Sequence, residues 1–210
     1  MQKETPHKQV EQIKQEHRKR CRRWNHPCHA HALTFSCYRQ RPFLKSEAVC
    51  EKLARSLTRA CIRHDVALWA YVFMPEHVHL LVWPRQPEYS ISIFLLSFKQ
   101  PLSRWVLRYH KQHQTNMLEQ MATGQRKQPY RFWQAGGGYD RNIVSKETAW
   151  NEIHYIHQNP VRRNLAGHPS EWYYSSYKDW MTDEKGPIEI EKASYYIGRE
   201  QANPPRPSTA

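Results

Sequence analysis

Between Val66 and Pro84 the chain reads VALWAYVFMPEHVHLLVWP, two apolar runs interrupted only at Met74-Pro75-Glu76. Each run has the length and the β-branched and aromatic content of a strand, and the break is too short for anything but a tight connection. The segment therefore predicts an antiparallel hairpin, and the neighbouring elements are read outward from it. Upstream, ALTFSCY from Ala32 to Tyr38 predicts a first strand, closed at Arg41-Pro42. Ser46 and Glu47 then offer a helix start, and Val49, Leu53, Leu57, Ala60 and Cys61 recur at helical spacing as far as His64-Asp65. Downstream, Ile91, Phe94, Leu95, Phe98, Leu102, Trp105, Val106 and Tyr109 form the apolar stripe of a second helix, 91–110, which Pro101 should kink or break.

Residues 111–130 are polar and read as loop. Tyr130–Trp133 reads as a short strand entering Gly136-Gly137-Gly138, which themselves read as a flexible turn or bulge. A last helix is expected from near Ser145 to about Asn159, ahead of Pro160. The order β-α-β-β-α-β-α predicts an α+β fold: a ferredoxin-like, split β-α-β antiparallel sheet with an added C-terminal helix. Many functions share that topology, so function has to be argued from side chains.

The 210 residues suit one domain, read here as a basic arm at 1–30, a domain at 31–180 and an extension at 181–210 whose end, NPPRPSTA, is expected to be disordered. Lysine and arginine total 32 against 19 acidic residues, a formal net charge of +13. That balance argues against an enzyme of small metabolites and for a polyanionic partner whose binding weakens with salt. No stretch approaches the roughly 18 to 20 apolar residues of a membrane span, and the polar N-terminus is unlike a signal peptide, so a cytoplasmic, nucleoid-associated protein is expected. The five cysteines, an odd number, are expected to be reduced thiols. Cys21, Cys28, His29 and His31 have the right donors for zinc but not the spacing of a finger, and read as part of a basic lead-in.

His77 and His79 flank Val78, so in a strand both imidazoles share one face while Val78 and Leu80 share the other. A pair of neutral imidazoles is a partial site for a divalent metal; the plainer reading is an edge strand with two solvated histidines. The run FMPEHVHLLVWP resembles the paired-histidine strand of the HUH endonucleases, specifically the IS200-like and REP-associated tyrosine transposases. GGGYDRNI, and then YIHQNPVRRNLAGHPSEWYYSSY, resemble that family's nucleophile helix and the segment after it. The similarity covers roughly residues 32–180, with its motifs in the family's order.

The resemblance implies a metal-dependent single-stranded DNA endonuclease and strand transferase that acts on hairpin-associated, REP-like sequences through a 5′-phosphotyrosine intermediate. It puts the nucleophile on Tyr155 and the metal, Mg2+ or Mn2+, on His77, His79 and Asn159. Asn159 lies four residues after Tyr155, on the same helix face. Gln158 is a less favoured third ligand, and His154 and His157 read as surface residues. Tyr139, Tyr173, Tyr174 and Tyr177 compete for the nucleophile's role, but only Tyr155 has a ligand partner at helical spacing. WYYSSYKDW reads as packing that wraps the domain.

Candidate phosphate contacts are Arg18, Lys19, Arg20, Arg22 and Arg23 in the arm, and Lys99, Arg104, Arg131, Arg141, Arg162 and Arg163 in the domain. The glycine run lacks the lysine and hydroxyl residue of a phosphate-binding P-loop, as expected of a reaction that conserves its phosphoester energy. The alternatives are a DNA- or RNA-binding regulator that retains the fold without the reaction, and a replication initiator or relaxase. The partner would be single-stranded DNA with a hairpin, and the protein a monomer or a homodimer.

Overall fold

Alternation in AHALTFS divides the first strand, β1 (Ala30–Ser36), into two faces, with Leu33 and Phe35 on one and Ala32 and Thr34 on the other. The computed structural model describes residues 24–197. The expected helix α1 spans Glu47–His64 and stops at Asp65, whose left-handed backbone (φ 49°) turns its N–H back onto the Cys61 and Ile62 carbonyls. The hairpin forms as β2 (Val66–Phe73) and β3 (His77–Pro84), closed by the Met74 N–H on the His77 carbonyl at 2.8 Å. Helix α2 (Ile91–Gln112) starts where the Ser90 hydroxyl accepts from the Ile93 N–H, and it runs unbroken through Pro101. Phe98 and Leu102 are fully buried on either side of the proline, and their packing holds the helix together across the missing hydrogen bond.

The structure departs from expectation at four places. The polar stretch after α2 contains a short helix, α3 (Met117–Met121), because Met121 finds a buried site. Tyr130–Trp133 is not a strand: it makes only isolated bridges, Ala122 to Tyr130 and Cys37 to Trp133, while Phe132 and Trp133 pack into the core. The fourth strand, β4 (Tyr139–Ile143), lies beyond the glycines. Gly138 makes this possible: at φ +70° its Cα passes so close to β1 that an added Cβ would sit 2.2 Å from the Thr34 carbonyl oxygen. The final long helix, α4 (Lys146–Arg162), carries on past Pro160, which sits in its last turn and lacks the N–H that would otherwise bond to the Ile156 carbonyl.

The sheet order is β2-β3-β1-β4, antiparallel throughout, which is the ferredoxin-like arrangement. Helices α1 and α2 cover one face over Leu33, Phe35, Tyr71, Val78 and Leu80. Helix α4 covers the other, burying Ile153 and Ile156 against Ala32, Val72 and Leu81.

Strand β2 would expose a free edge, and the chain after α4 occupies it. Phe73 N–H donates to the Tyr174 carbonyl and Ser176 N–H to the Tyr71 carbonyl, at 2.9 and 3.0 Å. The indoles of Trp172 and Trp180 donate to the Phe73 and Trp69 carbonyls, at 2.9 and 2.7 Å. WYYSSYKDW is thus the expected wrapping segment, and α5 (Tyr177–Met181) begins within it; the chain then docks through Ile188 and ends its described part in α6 (Lys192–Ile197). The terminal NPPRPSTA and the arm residues Arg18, Lys19, Arg20, Arg22 and Arg23 lie outside the described residues. Of the five cysteines expected to be reduced, Cys28, Cys37, Cys50 and Cys61 are free thiols, and Cys21 lies outside the described residues. Among the described residues no helix is long and apolar enough to cross a membrane.

Candidate active site

Strand β3 lies inside the sheet, between β1 and β2, which rules out the solvated edge strand for its two histidines. His77 stands opposite Ser36, and His79 opposite Thr34. The period of two puts Val78 and Leu80 into the α1/α2 core and turns both imidazoles toward α4. Their Nε2 atoms point at one another, 2.9 Å apart, and each Nδ1 has its own partner. His79 Nδ1 meets the Thr34 hydroxyl at 2.8 Å, and His77 Nδ1 donates to the Glu76 carboxylate at 3.1 Å. Burial lowers the pKa of His77 and, together with the neighbouring His77, pushes His79 down to about 3. Two neutral rings held by their Nδ1 atoms, with both Nε2 atoms directed at one point, are suited to share a divalent ion once the proton between them has moved away.

Helix α4 supplies the rest. Ser145 caps it by accepting from the Thr148 N–H at 3.1 Å, and Ile153 and Ile156 anchor it on the sheet. Those anchors leave Tyr155 on the rim, 41% exposed, with its ring edge-on to His79 at 5.6 Å. One turn later Asn159 is only 7% exposed; its Nδ2 donates to the Tyr155 carbonyl at 2.8 Å, which leaves Oδ1 as a hard oxygen donor. His77, His79, Tyr155 and Asn159 all line one cavity of about 450 Å³, together with Arg162 and Arg163. Among the described residues no three His, Cys, Asp or Glu side chains are grouped for a metal; the Asn159 amide stands with the histidine pair on the same cavity wall.

The remaining candidates separate. Arg162 lies over the Tyr155 ring at 5.3 Å, and Arg163 pairs with Glu76 at 2.8 Å, joining the end of α4 to the residue that holds His77. Arg141, on β4, is paired with Glu152 at 2.6 Å in a second cavity beside Tyr155. Lys99 lies over Phe35 and Trp133 on the α2 side of the sheet, away from the histidines. Arg104 is bonded to Gln100 at 2.6 Å on the same helix, and Arg131 reaches Gln125 at 3.3 Å; neither lines the cavity.

Gln158 is exposed and outside the cavity. His154 is at the surface as expected, but His157 is not: it is buried, with Nε2 on the Ser176 hydroxyl at 2.9 Å, because its position on α4 faces the wrapping segment. Nor is His31 part of a zinc cluster, since both its ring nitrogens are taken, by Asp140 and Tyr89, at 2.7 Å each. Thr34 and Glu76 also hold the site, though neither is among the expected residues. Thr34 had a signal, since Ala32, Thr34 and Ser36 alternate as the small and polar face of β1; Glu76 is simply the neighbour of His77.

The family model described as "Transposase IS200 like" matches residues 24–159, which is more than half of the chain and includes every residue of the histidine, tyrosine and asparagine set. The chain belongs to the IS200-like transposase family. A Haemophilus influenzae protein that carries the name of a REP-associated tyrosine transposase is 23% identical over 119 residues, 57% of this IS200-like chain. The matched part spans 63% of that relative's length. A solved REP-associated tyrosine transposase bound to a REP hairpin has the same fold, with a TM-score of 0.57 and 16% identity over 75% of this chain and 82% of that one.

Proposed function

We propose that this IS200-like protein is a metal-dependent nuclease and strand transferase for single-stranded DNA carrying a hairpin, with Tyr155 as its nucleophile. The observation that carries the reading is the gathering of His77, His79, Tyr155 and Asn159 around one cavity from two elements remote in sequence. The Tyr155 oxygen attacks a backbone phosphorus and loses its proton. The bond from phosphorus to the 3′ oxygen breaks, and that oxygen leaves as a hydroxyl with a proton. The 5′ side stays esterified to the tyrosine, and a second 3′-hydroxyl can reverse the step and join strands without another energy source.

His77, His79 and Asn159 would hold Mg2+ or Mn2+, which supplies polarisation of the scissile phosphate and charge stabilisation when bound. Arg162, whose guanidinium lies over the Tyr155 ring, sets a cation beside the nucleophile, which would favour the phenol's loss of its proton. The remaining surface of a chain with net charge +13 favours the DNA backbone, and the hairpin as partner is supported by the REP-hairpin complex that shares the fold. The basic arm, Arg18, Lys19, Arg20, Arg22 and Arg23, would add a duplex contact.

The test is incubation of the full chain with a hairpin bearing a single-stranded extension and Mn2+, resolved on a denaturing gel. A protein–DNA adduct is expected from the parent, and none from Tyr155→Phe or after chelation. Equal cleavage by Tyr155→Phe would remove Tyr155 from the mechanism, and binding with no adduct on any substrate would favour the non-catalytic regulator.

A further inference from the structure

Tyr155 stands on a ridge between two cavities. One holds the histidine pair; the other, of about 670 Å³, shares Thr34, His79 and Tyr155 with it and opens between β4 and the first half of α4. The walls of this second trough are regular. Thr148, Asn151, Glu152 and Tyr155 follow the three- and four-residue spacing of one helix face, and Tyr139 and Arg141 alternate along the edge strand opposite.

We propose that this trough is a base-reading pocket, which takes one unpaired nucleobase next to the phosphodiester that Tyr155 attacks; the proposal rests on the single-stranded DNA substrate argued above. Its charge separates it from the first cavity. Arg162 and Arg163 against the single Glu76, which pairs with Arg163, leave the histidine side one cation in excess, whereas among the described residues the trough's one arginine, Arg141, is matched by the Glu152 carboxylate at 2.6 Å. A phosphate would meet a guanidinium already neutralised and a carboxylate that repels it. A base meets something different: the Glu152 acceptor, the Thr148 and Asn151 groups that both donate and accept, and the Arg141 donor.

Glutamate accepts from an exocyclic amino group, and asparagine can donate and accept along one base edge, so the pocket should prefer adenine or cytosine to thymine. Tyr139 provides the aromatic wall. It is 53% exposed, sits opposite Thr34 in the β-ladder, and can stack on a base whatever its identity. The trough's volume falls within the roughly 300 to 1,000 Å³ of small-ligand sites.

The pocket can be tested without chemistry. Tyr155→Phe protein is equilibrated with hairpins whose single-stranded extension is randomised, and the retained DNA is sequenced. One position is expected to favour adenine or cytosine over thymine by about ten-fold. Asn151→Ala and Glu152→Gln, each made in the Tyr155→Phe background, should flatten or redirect that preference at that position alone. Tyr139→Ala should weaken retention for all bases there. Asn151 and Tyr139 are exposed, so the core does not depend on them. No preference at any position, or a preference that both Asn151→Ala and Glu152→Gln leave intact, would overturn the pocket. Because bound DNA is read with Tyr155 disabled, that result is separate from the adduct assay, whose failure would overturn the nuclease reading instead.

Discussion

Thr34→Val removes one hydroxyl from β1 and changes almost no volume, yet it should impair the metal site. The proton positions explain why. Glu76 only accepts, so His77 Nδ1 carries a proton and His77 Nε2 is bare. With the two Nε2 atoms 2.9 Å apart, His79 Nε2–H then donates to His77, and the Thr34 hydroxyl donates to His79 Nδ1 at 2.8 Å. For His79 to bind a metal through Nε2, its proton has to move to Nδ1, and the Thr34 hydroxyl must turn around and accept it. Threonine can do both; valine can do neither. The His79 side chain is buried, so an Nδ1–H without a partner costs about 1 to 3 kcal/mol. That matches the roughly ten- to hundred-fold loss of metal affinity seen when a histidine's outer partner is removed.

The assay is Mn2+ titration followed by electron paramagnetic resonance of the free ion, on parent, Thr34→Val and Thr34→Ser proteins. Thr34→Val should bind at least ten-fold more weakly, Thr34→Ser close to the parent, and all three should melt within a few degrees of one another. Equal affinity in Thr34→Val would refute the tautomer argument. Weak binding in Thr34→Ser as well would point to packing rather than to the hydroxyl.

Two further perturbations test the frame around the site. Gly138→Ala combines a left-handed backbone, costing an L-residue about 1 to 2 kcal/mol, with a Cβ placed 2.2 Å from the Thr34 carbonyl. Chemical denaturation should show a loss of about 3 kcal/mol, whereas Gly136→Ala, with nothing within 4 Å of its added carbon, should lose only the backbone part. Tyr71→Phe leaves the buried Ile188 N–H, now 3.1 Å from the Tyr71 oxygen, without an acceptor, at a cost of about 1 to 3 kcal/mol. Amide exchange should then accelerate at Ile188 first, and an unchanged rate there would mean that the extension is held mainly by its aromatic contacts.

The features most legible in the sequence are those that repeat at a fixed period. His77 and His79 declare a shared face through the period of two, and Tyr155 and Asn159 through the spacing of a helical turn; both faces are realised, on elements separated by more than sixty residues. Period alone could not place Tyr130–Trp133, whose aromatic run is a β signal until Phe132 finds a better place in the core. Nor could it assign β4, where YDRNI holds a single buried apolar residue, Ile143, and is drawn into the sheet by the approach that Gly138 allows. His157 is buried against expectation for a related reason: its partner, Ser176, belongs to the returning segment, and no local pattern announces it.

The proposed reaction needs groups from two kinds of scaffold, and the structure couples them unevenly. The histidines ride on an interior strand paired on both sides, while Tyr155 and Asn159 ride on one helix laid across the sheet. Buried Ile153 and Ile156 fix where that helix lies on the sheet, but apolar contacts do not set its position along its own axis as sharply as a charged contact does. The Glu76 carboxylate supplies one, with the same oxygen on His77 Nδ1 and on the Arg163 guanidinium. Arg163→Met therefore tests the register of nucleophile against metal site: Mn2+ affinity should hold to within a few-fold, because His77 keeps its acceptor, while the rate of adduct formation should fall about ten-fold or more. Loss of both together would mean that Glu76 needs the arginine in order to hold His77, and that the two scaffolds are one mechanical unit.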